Sequence, residues 1–296
     1  MNRGKQNTYA LPLIVDAINR IDLGQIGSEF RIADYGSAQG QNSLLPMKTA
    51  IAQIRALAAN SGGATTPISI THTNLPTNDW TTLFQTVLFS PDSYLVGEQD
   101  VFCFASGTSV YQQIFPPNHI AFGYSAIVEH WLSRKPCNIP NEIWSVRAIG
   151  RVRDIWAAQA KADWHAFLQY RALEMQPSAQ LLIVGSGADA KGNSGAEGLI
   201  DLANHILQQL VKDGTLYPSE YEQMAIRLII ALRKSGKSRL LLNLILFADQ
   251  VFHSMILKNS GWTTFTWSSF NATITLKLLR QRTPDSSKQR TNRACS

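Results

Sequence analysis

The first two-thirds of the chain alternates short, nearly continuous apolar runs with longer runs whose apolar residues recur at helical spacing. FRIADYG (30–36), ISITHTNL (68–75), VFCFASG (101–107), HIAFGYS (119–125) and LLIVGSG (181–187) predict five strands. Between the first two, residues 43–59 place Leu44, Met47, Ile51, Ile54, Leu57 and Ala58 on one face of a helix. SGGATTP (61–67) breaks both periodicities and reads as a loop. Residues 78–88 predict a second helix opened by polar capping residues, and 126–132 predict a helix directly continuing the fourth strand. Residues 152–175 predict a long helix with Ile155, Trp156, Ala160, Trp164, Phe167 and Leu168 along one face, and 196–211 another. Strands without polar alternation, separated by helices, predict an α/β fold built on a parallel sheet covered on both faces. In such sheets ligands bind beyond the carboxyl ends of the strands, near the point where strand order reverses. The candidate chemistry is therefore sought at those ends.

Composition narrows the class. The chain has 296 residues, 45% of them hydrophobic, with seven Trp, which excludes wholesale disorder. Its longest apolar run, 240–252, is interrupted by Asn243 and Asp249 and falls short of the roughly 20 residues of a membrane helix. The opening MNRGKQNTYA has no apolar signal-peptide core. Cys103, Cys137 and Cys295 are too few and too scattered for a disulfide framework or a metal pair, and no metal site is expected. A soluble, cytoplasmic protein is the expectation.

The net charge of +6 divides unevenly. Residues 1–222 carry 15 Lys and Arg against 19 Asp and Glu, a net −4, whereas residues 223–296 carry 12 against 2, a net +10. The stretch 277–296, with six basic residues and one acid among Gln, Ser and Thr, reads as a solvated tail. A nucleic-acid arm is the alternative, but no RNA-binding or zinc-finger motif accompanies the charge, so no nucleic-acid partner is expected.

The first strand ends Asp34-Tyr35-Gly36-Ser37-Ala38-Gln39-Gly40-Gln41-Asn42. An acid closes the strand, and two glycines able to take positive φ precede a helix N-terminus. Ala38 breaks the dinucleotide pattern of glycines, and the acid suits a ligand with a positive end, an amino group or a sulfonium. The second strand ends Asn74-Leu75-Pro76, with Asn where nucleotide-binding sheets place a ribose-binding acid; Asp79 reads as a helix-start residue. The third leads to Ser109-Val110-Tyr111, and the fourth to Tyr124-Ser125-Ala126-Ile127-Val128-Glu129-His130-Trp131, where Trp131 combines an apolar body with an indole N–H.

IADYGSAQGQNSLLPM, TNLPTNDWTTLF, SVYQQIFPP and YSAIVEHWLSRKP occur in the order and spacing of one family. Over about residues 1–222 the chain resembles the SABATH carboxyl methyltransferases, the plant salicylate, benzoate and jasmonate enzymes, and most closely their bacterial branch. The resemblance implies a class I S-adenosylmethionine (SAM)-dependent methyltransferase fold, Rossmann-like with a mainly parallel sheet and a helical cap. It implies one domain over 1–276, with cap insertions at about 1–20, 135–175 and 190–230, before the tail. It implies SAM as cofactor, met by Asp34, Gly36, Gly40, Asn42, Asn74, Leu75, Ser109, Val110 and Ser125. It also implies a small organic, aromatic acid as substrate, with Tyr9, Tyr124, Ile127, His130 and Trp131 around it and the last two nearest the reacting carboxylate. The implied activity is O-methylation of that carboxylate to a methyl ester, with no membrane partner and with homodimerisation left open.

Three departures bear on this. Asn74 replaces the family's ribose-binding Asp, and Leu13 and Asp16 replace a Ser and a Gln, so that an inward-facing Asp16 would repel a carboxylate. After about residue 223 the resemblance ends, where the charge changes sign. A catalytically impaired remnant or binding protein of the same fold is the alternative reading. Residues 240–247 and 262–267 are the candidates for the strands that would complete the sheet.

Overall fold

The computed structural model describes residues 3–60, 66–185, 195–227, 264–269 and 272–277, with the backbone alone for 3–9, 264–269 and 272–277. Its seven strands are β1 (Phe30–Tyr35), β2 (Ile68–Asn74), β3 (Val101–Gly107), β4 (Ile120–Ala126), β5 (Met175–Val184), β6 (Thr264–Ser269) and β7 (Ala272–Lys277). They form one sheet in the order β3-β2-β1-β4-β5-β6-β7. The first six run parallel, and β7 turns back antiparallel on β6. Strand order reverses between β1 and β4, which lie side by side, so their carboxyl ends open the switch-point crevice.

The helices are α1 (Arg3–Ile18), α2 (Leu44–Asn60), α3 (Trp80–Phe89), α4 (Gly150–Glu174), α5 (Glu197–Lys212) and α6 (Pro218–Gln223). The period-two geometry of the strands sorts their side chains into two cores. Phe30 and Ile32 of β1 and Ile68 and Ile70 of β2 face a cluster with Ile14 and Ile18 of α1, Met47, Ile51 and Ile54 of α2, and Leu83 and Val87 of α3. Ala33, Tyr35, Leu181 and Ile183 face the opposite way, onto Phe167 and Leu168 of α4. A third cluster joins Leu132, Ile139 and Ala148 to Trp156 and Ala160 of α4. α5 docks on the same segment through a bidentate Arg147–Asp201 pair and through Asn204 to the Asn141 carbonyl.

The second core contains a buried ionic network. Arg171 and Glu174, both wholly buried, are paired at 2.8–2.9 Å, and the Tyr35 hydroxyl donates to Glu174 at 3.0 Å. Arg171 also donates to the Val110 and Gln112 carbonyls, while Glu174 accepts from the Ile114 and Phe115 amides. The loop after β3 is thus fastened to α4.

Two expectations need correction. Residues 126–132 are not helical: β4 runs on through Ala126, and the Ile127 amide donates to the Val184 carbonyl of β5 at 2.7 Å. Ile127 then takes φ +57°, a left-handed conformation unfavourable for a β-branched residue, and ends any helical continuation. Coverage of both sheet faces is also incomplete, because Phe102 and Phe104 on the edge strand β3 are about half exposed. Of the two runs expected to complete the sheet, the described part of 262–267 lies in β6, which pairs with β5, while 240–247 lies outside the described residues. So does the stretch 278–296 of the expected tail. Among the described residues, no helix is long and apolar enough to cross a membrane.

Candidate active site

A cavity of about 310 Å³ lies at the switch point. Its floor comes from the carboxyl ends of β1, β2 and β4 and from the loops that follow them. Asp34, Gly36, Asn42, Asn74, Tyr124, Ile127, His130 and Trp131 all line it, bringing eight of the candidates together. Gly40, Leu75, Ser109, Val110 and Ser125 are not among its lining residues. Gly40 takes φ +84° in the turn that follows. Leu75 is half exposed, Val110 belongs to the second core, and the Ser109 hydroxyl accepts from the Tyr111 amide. Ser125 is buried beneath the cavity wall, where its hydroxyl bonds the Glu129 carboxylate. Tyr9 lies in α1, and its side chain is outside the described residues.

Asp34 is buried at the end of β1 and is the one acid among the described residues that line the cavity. Its Oδ2 lies 2.7 Å from Nδ1 of His72, whose Nε2 in turn meets the Tyr94 hydroxyl at 2.9 Å. Burial pulls the His72 pKa down, but hydrogen bonds and charge from Asp34 and Cys103 outweigh it and raise the ring to about 9. Gly36, next along the loop, has φ +83°, and a Cβ there would fall 2.1 Å from Val128 Cγ2. The two loops are tied together: Asn74 bonds Asn78 at 3.2 Å, and Asn78 donates to the Ala38 carbonyl at 2.8 Å. Asn74 also accepts from the Leu75 amide. Asp79 caps α3 by accepting from the Thr82 amide and hydroxyl, as the polar opening of that helix predicts.

On the opposite wall, the Tyr124 hydroxyl and Nδ1 of His130 are buried polar atoms without a protein partner among the described residues. Such atoms are costly unless something bonds them, so both mark places for polar atoms of a ligand. Burial pushes the Tyr124 phenol up and lowers the His130 imidazole to about 4, so at pH 7 both are neutral. The two rings His130 and Trp131 pack at 5.3 Å, Trp131 remains half exposed, and its carbonyl accepts from the Tyr111 hydroxyl. Asp16 does not approach this wall: it is exposed and paired with Arg20.

The family model described as SAM dependent carboxyl methyltransferase matches residues 3–230. The chain belongs to that family. A probable S-adenosylmethionine-dependent methyltransferase of Arabidopsis thaliana is 28% identical over 56% of this chain and 49% of its own length. A benzoic acid/salicylic acid carboxyl methyltransferase of Petunia hybrida is 31% identical over 62% of this chain and 55% of its own length. The chain thus spans about half the length of the curated relatives it matches. Among solved structures, a loganic acid methyltransferase with SAH superposes with a TM-score of 0.68 at 22% identity, covering 82% of this chain and 70% of that one. The fold is therefore that of the SAM-dependent methyltransferases.

Within this carboxyl methyltransferase family site, Ser37, Ala38, Ser43, Ala126 and Val128 also line the cavity, although the motifs single out none of them. Their positions beside Asp34, Asn42 and Tyr124 are the only sequence signal for them. His72 stands one layer behind the lining and follows from the pairing of β1 with β2, not from any motif.

Proposed function

We propose that this chain is a SAM-dependent O-methyltransferase that converts the carboxylate of a small aromatic acid into its methyl ester. The observation that carries the reading is the two-sided cavity: a buried acid and close-approach glycine on one wall, neutral polar and aromatic groups on the other. The residues present fit the cofactor. Asp34 offers a carboxylate to a cationic end, Gly36 lets the Val128 side chain pack against the loop beside it, and Asn74 lines the same cavity with a side-chain amide able to meet a ribose. When bound, SAM supplies an electrophilic methyl group on a sulfonium.

The substrate's carboxyl, with a pKa of about 4, is already ionised at pH 7, so the chain need not remove a proton. Its work is to hold and align. The orphaned Tyr124 hydroxyl, a neutral His130 and the Trp131 indole are placed to donate hydrogen bonds to a carboxylate or to wall an aromatic ring. Alignment of two bound reactants supplies roughly 7–11 kcal/mol of such a barrier. The name of the Petunia relative, a benzoic and salicylic acid enzyme, supports the aromatic assignment, as do the aromatic walls. Incubation with methyl-labelled SAM and a panel of aromatic and aliphatic acids tests the proposal. Extractable labelled ester from aromatic acids is expected; no product from any acid, with folded protein, would overturn it.

A further inference from the structure

Motifs lead to Asp34, but the structure shows that Asp34 is not a lone carboxylate. His72 stands opposite it in the β1–β2 register, its ring wholly buried and strung between Asp34 Oδ2 and the Tyr94 hydroxyl. Tyr94 is itself buried, so the ring has no freedom to leave. Oδ1 has no side-chain partner among the described residues, and Asp34 lines the cavity. A buried carboxylate is stable only with a fixed partner and a countercharge.

We propose that His72 is a positioning residue for the cofactor: it clamps Oδ2 of Asp34, leaves Oδ1 to the ligand, and gives up a proton when a cationic ligand group takes over as countercharge. This rests on the cofactor reading above. In the free protein the ring holds its proton at neutral pH, its pKa being raised to about 9. The ionisable groups facing it are Asp34 from β1, Cys103 from β3 and Tyr94 from the segment after α3; Tyr124 of β4 interacts with Asp34. α3 carries no charged residue, and Lys48 of α2 is exposed. A ligand ammonium or sulfonium beside Oδ1 puts two cations on one carboxylate. A sulfonium cannot discharge and an ammonium seated at Oδ1 is held there by the charge, so it is His72, behind the lining, that gives up its proton to solvent.

The test is calorimetry of SAM and of S-adenosylhomocysteine (SAH) binding in buffers of different ionisation enthalpy, on the wild type, His72→Asn and His72→Leu. Asn keeps a donor for Oδ2 but cannot ionise; Leu keeps neither. At pH 8 the wild type should release about half a proton or more beyond His72→Asn. The ratio of wild-type to His72→Asn affinity, which cancels titration of the ligand's own amine, should rise from pH 7 towards 9, with the two within about threefold of each other at pH 9. His72→Leu should bind at least about tenfold more weakly. Equal proton release by wild type and His72→Asn overturns the proposal, as does undiminished binding by a folded His72→Leu. If folded wild type binds neither SAM nor SAH, the cofactor reading falls and this proposal with it; binding without the proton difference removes this proposal alone. Ring nitrogen shifts of His72 in the ligand-free protein provide an independent readout: a neutral ring at pH 7 also overturns it.

Discussion

Gly36→Ala isolates the contact that shapes the cavity. Gly36 has φ +83°, so any L-residue there incurs left-handed strain of about 1–2 kcal/mol. The added Cβ would also lie 2.1 Å from Val128 Cγ2, 3.0 Å from Cγ1 and 3.1 Å from Cβ. Rotating χ1 relieves the shortest contact at most to the 3.0–3.1 Å of the other carbons, so the Val128 side chain must leave its present rotamer and the loop must still yield a little. Overpacking of this kind adds about 1–3 kcal/mol. The sum, about 2–5 kcal/mol, should lower Tm by at least about 5 °C in a domain of this size. Val128 lines the cavity beside Ile127 and Trp131, so SAH should bind at least about tenfold more weakly. The decisive assay is a double-mutant cycle with Val128→Ala, followed by thermal melting and calorimetry. Removing the two methyls should recover the overpacking part, leaving the double variant about 1–3 kcal/mol more stable than the two single effects predict. Simple additivity, or a Gly36→Ala variant with wild-type Tm, would refute the steric reasoning.

Three further substitutions probe the remaining parts. Asn74→Asp keeps the acceptor for the Leu75 amide and adds charge at the ribose position, so SAM affinity should rise about tenfold by calorimetry; weaker binding would mean that Asn74 does not meet the ribose. Trp131→Phe keeps an apolar wall and removes the indole N–H, so kcat/KM for the acid should fall at least about tenfold with SAM affinity unchanged; equal losses of both would make Trp131 a packing residue. Arg171→Met strands the wholly buried Glu174 and frees the loop after β3, so chemical denaturation should show a loss of about 3–5 kcal/mol.

What the sequence made legible followed from local signals. The five strand runs are continuous and apolar because both faces of most strands are covered, and the switch point follows from their alternation with helices. Asp34, Gly36 and Asn74 are legible because they sit at strand ends, where chain geometry alone puts them on the cavity lining. Residues 126–132 read as a helix because Ile127, Val128, Trp131 and Leu132 have helical spacing, while the deciding forces are non-local: the Ile127 amide is claimed by β5, and Glu129 is held by Ser125. Val110 packs in the second core, because the Arg171–Glu174 pair draws its loop onto α4. His72 reads in sequence as one histidine in an apolar strand; only the parallel register of β1 and β2 brings it to Asp34.

The central claim is that the cavity at Asp34 receives SAM. The most direct measurement is the binding of SAH to the full chain and to Asp34→Asn, which keeps the shape of the side chain and an acceptor for His72 while removing the charge. One SAH per wild-type chain is predicted, with affinity reduced at least about tenfold in Asp34→Asn at unchanged fold by circular dichroism. Undiminished binding by Asp34→Asn, or no binding by folded wild type, would contradict the account.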